Sequence, residues 1–283
     1  MNNKSPLRYP GGKTRACKTL DEIISSRVDI SNFQALVSPF FGGGSFEFYI
    51  QNKYNLYLIV NDKFKPLFIF WRTLKKNKTA LVEQVRDLHP ASKEDFIEYR
   101  NEIMDLSTSC TSSASVEIVT QTAAYYFVIN RCSFSGATLS GGFSEQASKG
   151  RFNENSIKNL QKVDLSKLVV HNKDFTNFIN DVFKTLKNKN KKRAQSNVLM
   201  FLDPPYYLEK GSKLYGKNGD LHENFDHEGL AQLLRGHDNW IMTYNNCEYI
   251  RNLYEDYEIV EAHWAYGMNA SKKSSEIVII NLS

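Results

Sequence analysis

The stretch Val198-Leu199-Met200-Phe201-Leu202-Asp203-Pro204-Pro205-Tyr206 limits most tightly what this chain can be. An apolar run of this length, entered from a charged loop and closed by Pro-Pro, predicts a strand buried on both faces. Asp203 then stands at its carboxyl end, the edge at which open α/β sheets bind their ligands. A flat amino-purine or amino-pyrimidine can lie on Tyr206 while its exocyclic amine donates one hydrogen bond to the Asp203 carboxylate and one to the Pro204 carbonyl. Proline fixes φ and has no N–H, so it holds that carbonyl in place. Two such bonds localise the lone pair of the amine and make a poor nucleophile a better one. The competing reading is a strand-end turn with an ordinary capping acid; Tyr206 and the apolar strand favour the site.

The chain has 283 residues, enough for one large domain or for a domain with a smaller one inserted. Lys and Arg number 36 against 31 Asp and Glu, a net charge of +5 that suits a polyanionic partner without requiring one. Cys17, Cys110, Cys132 and Cys247 are scattered, with no C-x-x-C pair and no histidines at ligand spacing. Neither a zinc or other metal site nor a disulfide framework is indicated, and a reducing, intracellular compartment is expected. The absence of an apolar leader and of an apolar stretch of roughly 18 residues argues against secretion and membrane insertion.

Near the amino terminus, Pro6-Leu7-Arg8-Tyr9-Pro10-Gly11-Gly12-Lys13-Thr14 reads as a rigid, glycine-bearing loop before a helix from about Cys17 to Ser26. Gly12-Lys13-Thr14 resembles the end of a P-loop, but that motif needs a glycine where Leu7 stands and a strand in front. Tyr9 and Lys13 are instead candidates for gripping a small anionic group such as a carboxylate. The short strand Ala35-Leu36-Val37 runs into Ser38-Pro39-Phe40-Phe41-Gly42-Gly43-Gly44-Ser45 and then a helix over Phe46 to Gln51. Strand, glycine turn and helix together let a cofactor approach backbone at a sheet edge. The next strand, Leu56 to Val60, ends in Asn61-Asp62, at the right distance for an acid that binds a ribose diol.

A charged helical stretch follows from Pro66 to about Asp105, then a Ser/Thr-rich break over Ser107 to Ser115, then a helix from Val116 to Ile129. The polar, glycine-rich segment from Asn130 to Phe143 makes a poor core and a plausible contact loop. In it Arg131 and Phe134 are suited to a phosphate and a base. Strand Leu168 to His171 leads to Asp174-Phe175, and a basic tract from Lys184 to Arg193 reads as a solvated loop. Lys210, Lys213, Tyr215 and Lys217 lie in the loop after Tyr206. Asp226 is placed to cap a helix through Leu230, Leu233 and Leu234, and Trp240 to Tyr244 is a further strand. Tyr257 to Val260 and Glu276 to Ile280 read as an antiparallel pair joined through Ser271 to Ser275.

These motifs resemble, in order and over nearly the whole chain, the DNA adenine-N6 methyltransferases of the Dam type (the alpha group). Pro10-Gly11-Gly12-Lys13 looks like that family's N-terminal motif, Pro39 to Ser45 its cofactor loop and Asp203-Pro204-Pro205-Tyr206 its catalytic signature. The resemblance implies an α/β, Rossmann-like methyltransferase domain made of residues 1–75 and 158–283, with a mostly helical target-recognition domain over 76–157. It implies S-adenosylmethionine as cofactor and double-stranded DNA as partner, and it is compatible with a cognate restriction endonuclease. By carry-over, Tyr9 and Lys13 would hold the methionine part, Phe40, Gly42 and Gly44 would line the cofactor, and Asp62 would take the ribose hydroxyls. Asp174 and Phe175 would meet the adenine. Asp203, beside the cofactor, would with Pro204 and Tyr206 hold the target base, and Asn130, Arg131, Phe134 and Ser135 would contact DNA.

Two departures from the family pattern carry consequences. Ser38 stands where the family often has an acid before Pro39, so one cofactor contact must come from elsewhere or be missing. In enzymes that methylate GATC an arginine stands two places after the Asn-Gly-Leu of the recognition segment, whereas this chain has Leu139 at that point. A site other than GATC is therefore expected. The same site chemistry would serve an RNA or cytosine-N4 methyltransferase, and a catalytically silent DNA-binding protein would keep the fold.

Overall fold

In the computed structural model, residues 4–108, 115–189, 197–207, 225–262 and 276–282 are described. The strands are β1 (Ala35–Ser38), β2 (Tyr57–Asn61), β3 (Leu168–His171), β4 (Val198–Leu202), β5 (Trp240–Asn245), β6 (Glu258–Ala262) and β7 (Glu276–Asn281). They form one sheet in the order β3-β2-β1-β4-β5-β7-β6, parallel except for β7, which runs antiparallel to β5 and β6. This is the mixed, mostly parallel α/β architecture that the sequence predicts.

Alternation along the central strands explains why they read as unbroken apolar runs. Leu199 and Phe201 of β4 point into one core with Leu36 of β1 and Ile241 of β5. Val198, Met200 and Leu202 point into the other with Ala35, Val37, Trp240 and Met242. Both faces are therefore covered, as parallel sheets require. One face carries α1 (Cys17–Ser25), α2 (Ser45–Tyr54) and α3 (Lys65–Lys76). The other carries α9 (Phe175–Lys189), α10 (His227–Leu234) and α11 (Glu248–Leu253). Asp226 caps α10 as expected, its side chain accepting from the Gly229 N–H.

Between α3 and β3 the chain makes α4 (Lys78–Asp87), α5 (Lys93–Thr108), α6 (Val116–Cys132), α7 (Glu145–Arg151) and α8 (Glu154–Lys162). Helix α6 is buried on nearly every side over its second half, from Thr122 to Asn130. A helix apolar all round has to be central, and α6 packs against α3, α4, α5 and α7. Its core is continuous with that of the sheet face, Phe70 lying 6.0 Å from Phe127 with the rings parallel. The boundary read at 157/158 falls inside α8. Helix α6 also continues to Cys132 rather than stopping at Ile129. Asn130, a residue often found at helix ends, is fully buried and its amide is satisfied by Arg8 and Gly136, so the helix has no reason to end there.

The basic tract read as a solvated loop is helical over its first part, Lys184 to Lys189 continuing α9, because the amphipathic pattern begun at Phe175 runs on through it, and its remainder to Arg193 lies outside the described residues. Ser107 likewise still belongs to α5, while most of the break to Ser115, the loop carrying Lys210 to Lys217 and the hairpin connection Ser271 to Ser275 lie outside the described residues. Among the described residues no helix is long and apolar enough to cross a membrane.

The strand order reverses between β1 and β4. The chain passes outward through β1, β2 and β3, then returns to lay β4 on the other flank of β1. Loops after β1 and β4 must then diverge to opposite faces, leaving a crevice at their carboxyl ends. The glycine turn follows β1 and Asp203-Pro204 follows β4, so the two motifs flank that crevice.

Candidate active site

The crevice opens into a cavity of about 570 Å³. Tyr9, Lys13, Phe40, Gly42, Gly44, Asp62, Asp174, Phe175, Asp203, Pro204 and Tyr206, all singled out from the sequence, line it together. Asn130, Arg131, Phe134 and Ser135 do not, although Ala137, Thr138 and Leu139 from the same segment do.

The glycine turn is shaped by its neighbours. Gly42 and Gly44 have φ of +51° and +68°, the left-handed region that favours glycine. A Cβ on Gly42 would come within 2.7 Å of the Tyr9 ring, and one on Gly44 within 2.6 Å of Phe41. The turn is held by the Gly42 N–H, which donates to Asp62 Oδ2 at 2.9 Å, and by the Trp71 indole, which donates to the Gly42 carbonyl at 3.1 Å. The Phe64 N–H donates to Asp62 Oδ1, so Asp62 ties the ends of β1 and β2 together while it faces the cavity. Asn61, buried beside it, reaches the Pro39 and Lys173 carbonyls and fixes the loops after β1 and β3. Phe40, Phe175 and Phe225 pack on one another with ring centroids 5.4–5.7 Å apart and together form an apolar part of the cavity wall.

Asp203 does not stand alone. Lys13 Nζ lies 2.8 Å from its Oδ1 and donates to Oδ2 at 2.9 Å, and the Thr243 hydroxyl donates to Oδ1 at 2.7 Å. The Lys13 side chain is 4% exposed and that of Asp203 23%, so the pair is sheltered but the carboxylate still opens on the cavity. The lysine predicted to grip a carboxylate thus grips one from its own chain. Glu276, buried at the start of β7, lies 3.9 Å from the same ammonium and accepts a 2.6 Å hydrogen bond from the Tyr206 hydroxyl. Lys13 Nζ also sits 5.1 Å from the Tyr206 ring centroid. Acid, lysine and aromatic are thereby held as one unit.

Three residues here escape a reading of the sequence. Thr243 is found only once β5 is known to flank β4: Leu202 pairs with Met242, which brings the following residues side by side. Glu276 opens an apolar strand and passes for a strand-end acid. Glu47, in the first turn of α2, lines the cavity although 3% exposed, and accepts a 2.7 Å hydrogen bond from the Ser38 hydroxyl.

Burial pushes the Glu47 carboxyl up to about 8 against the pull of the Ser38 bond, and pushes Asp62 up to about 6 against its two backbone donors. Both acids bind their proton more tightly folded than unfolded. The stability they contribute is present below their ordinary values near 4.5 and 3.8 and is lost as pH rises through about 6 and then about 8. A tenfold change in proton affinity corresponds to about 1.4 kcal/mol, so Glu47 alone accounts for several. Urea unfolding of the ligand-free protein between pH 5 and pH 9 is expected to show this decline, and Glu47→Gln to flatten it; a rise in stability over the range would contradict the assignment.

The segment after α6 forms a separate surface. Phe134 is 70% exposed at the tip of a tight turn, beside exposed Ser135, whose φ is +52°. Arg131 is partly buried, its Nε donating to the Arg151 carbonyl, and desolvation followed by repulsion from Arg8 and Arg151 lowers it to about 10. Asn130 is buried beneath them.

Residues 9–268 match the family described as D12 class N6 adenine-specific DNA methyltransferase. Over 281 aligned residues the chain is 23% identical to the Type II methyltransferase M.MjaIII of Methanocaldococcus jannaschii, covering 92% of this chain and 90% of that protein.

Proposed function

Because the chain belongs to the D12 class of N6 adenine-specific DNA methyltransferases, we propose that it takes its methyl group from S-adenosylmethionine and presents the adenine amine through Asp203, Pro204 and Tyr206. The observation that carries this reading is that the Asp203 carboxylate opens on the same cavity as the glycine turn and the three phenylalanines. The lining suits the cofactor: an apolar wall of three phenylalanines for the adenine ring to lie on, Asp62 and Asp174 for polar groups beside it, and a buried acid bonded to Ser38 for the amino-acid end. When bound, S-adenosylmethionine would supply a sulfonium methyl group that a nucleophile takes in line as the carbon–sulfur bond breaks and S-adenosylhomocysteine leaves.

The chain's own residues then have defined tasks. An adenine in duplex DNA hides N6 in the stack, and everting it costs a few kcal/mol. Tyr206 offers a face to stack on, and the Asp203 carboxylate and the Pro204 carbonyl accept from the amine. Lys13 and Thr243 keep Asp203 oriented before the base arrives, so little reorganisation is left for the reaction itself. Residues 76–157 act as the target-recognition domain, with exposed Phe134 filling the gap left by the everted base and Ser135 and Arg131 meeting the DNA beside it. Asn130 acts from beneath, holding this loop to Arg8.

The target sequence is a site other than GATC. An arginine paired with a guanine is worth about 1–3 kcal/mol of discrimination, and Leu139 is buried and apolar. The Type II relative supports a place beside a restriction endonuclease that cuts the same sequence. Incubating the protein with plasmid DNA and S-adenosylmethionine, digesting to nucleosides and sequencing the modified product tests all of this together. N6-methyladenine outside GATC is expected; N4-methylcytosine would overturn the base assignment, and methylation confined to GATC the recognition assignment.

A further inference from the structure

We infer that Glu47 is the carboxylate that receives the primary ammonium group at the amino-acid end of the methyl donor, a contact that Ser38 cannot make. The inference rests on the proposed cofactor and adds to it a residue role that neither the motifs nor their spacing assigns.

The two residues are bonded to each other behind the cavity wall, which Glu47 lines and Ser38 does not. Ser38 closes β1 and is fully buried; its hydroxyl donates to Glu47 Oε1 at 2.7 Å. Glu47 is brought there by the turn over Gly42, Gly43 and Gly44, which starts α2 directly beneath the cavity. A serine too short to project a charge from the end of β1 is thus joined to an acid that reaches the same point from the neighbouring helix.

The electrostatics of this corner call for a cation. Among the described residues no lysine, arginine or histidine lies within ion-pair distance of Glu47. The nearest positive charge acting on it is that of Lys13, which is held by Asp203 and Glu276. A buried carboxyl stabilised by the Ser38 hydroxyl and its own backbone N–H, with no cation in contact, is unfavourable in its charged form. A ligand ammonium entering the cavity would complete the pair, and one carboxylate-to-ammonium contact of this kind separates ligands that carry the group from ligands that do not.

That difference is the test. Equilibrium binding of S-adenosylhomocysteine and of 5′-methylthioadenosine, which lacks the amino-acid end, is measured by titration calorimetry at pH 8 on the wild type and on Glu47→Gln. The glutamine keeps the shape of the side chain and the bond to Ser38 but removes the charge. Affinity for S-adenosylhomocysteine is expected to fall about 10- to 100-fold, while that for 5′-methylthioadenosine stays within about twofold. An equal loss for both ligands, or no loss for either, overturns the inference. If Glu47→Gln does not fold, Glu47→Asp carries the same comparison: the shortened acid should weaken S-adenosylhomocysteine selectively, and an equal effect on both ligands again overturns it. Failure of the wild type to bind either ligand would instead overturn the cofactor reading, and this contact with it.

Discussion

Replacing Asp203 by asparagine is expected to lower methyl transfer to DNA by about 10²–10³-fold or more while leaving affinity for S-adenosylhomocysteine within a few-fold. The asparagine keeps an oxygen for the Thr243 hydroxyl, so the loop after β4 retains its course. It removes the negative charge placed in advance against the amine as that amine becomes positive. Removal of one such fixed electrostatic partner commonly costs this much in turnover. Single-turnover assays with labelled cofactor, set beside calorimetric binding, separate the two effects. Turnover near the wild-type value would show that Asp203 does not hold the amine, and a parallel collapse of cofactor affinity would assign it to the cofactor instead.

The second large effect is expected from Lys13→Met. The lysine side chain is nearly fully buried and lies between two carboxylates, at 2.8 Å from Asp203 and 3.9 Å from Glu276. Removing it takes away the cation that sits between two carboxylates, and breaking a buried pair from one side costs about 3–5 kcal/mol. Because Asp203 keeps some contact with the cavity, the lower end, about 3 kcal/mol, is expected in urea unfolding at pH 7. Transfer should fall as well, because Tyr206 is anchored through Glu276 and both lose their common cation. Wild-type stability in this variant would mean that the Lys13 contact contributes nothing to the fold.

The fold was legible where hydrophobic pattern and function coincide. The run from Val198 to Leu202 could only be a strand covered on both faces, and the acid at its end, the glycine turn after β1 and Asp62 after β2 all lie at the same sheet edge. What stayed hidden depends on strand order, which local sequence does not encode. Thr243 acquires a role only because β5 adjoins β4, and Glu276 because β7 is inserted between β5 and β6. Glu47 looked like any acid in the first turn of a helix. For Asn130 and Arg131 it was the local structure, a loop, that differed. They read as part of a contact loop, yet both continue helix α6 and Asn130 is buried there, because its bonds to a segment more than a hundred residues away outweigh a local preference for ending the helix.

That long-range attachment also links two jobs. The Arg8 N–H donates to the Asn130 side chain, whose amide donates back to the Arg8 carbonyl, and the Arg8 guanidinium caps the carbonyls of Arg131 and Ser133. Gly136 closes over the same residue so tightly that any side chain there would strike it. The peptide clasped in this way leads directly into Tyr9 and, a few residues on, Lys13. On the proposed function, the surface that meets the DNA and the cavity that receives the base would thus share one covalent tether, the short run from Arg8 to Lys13.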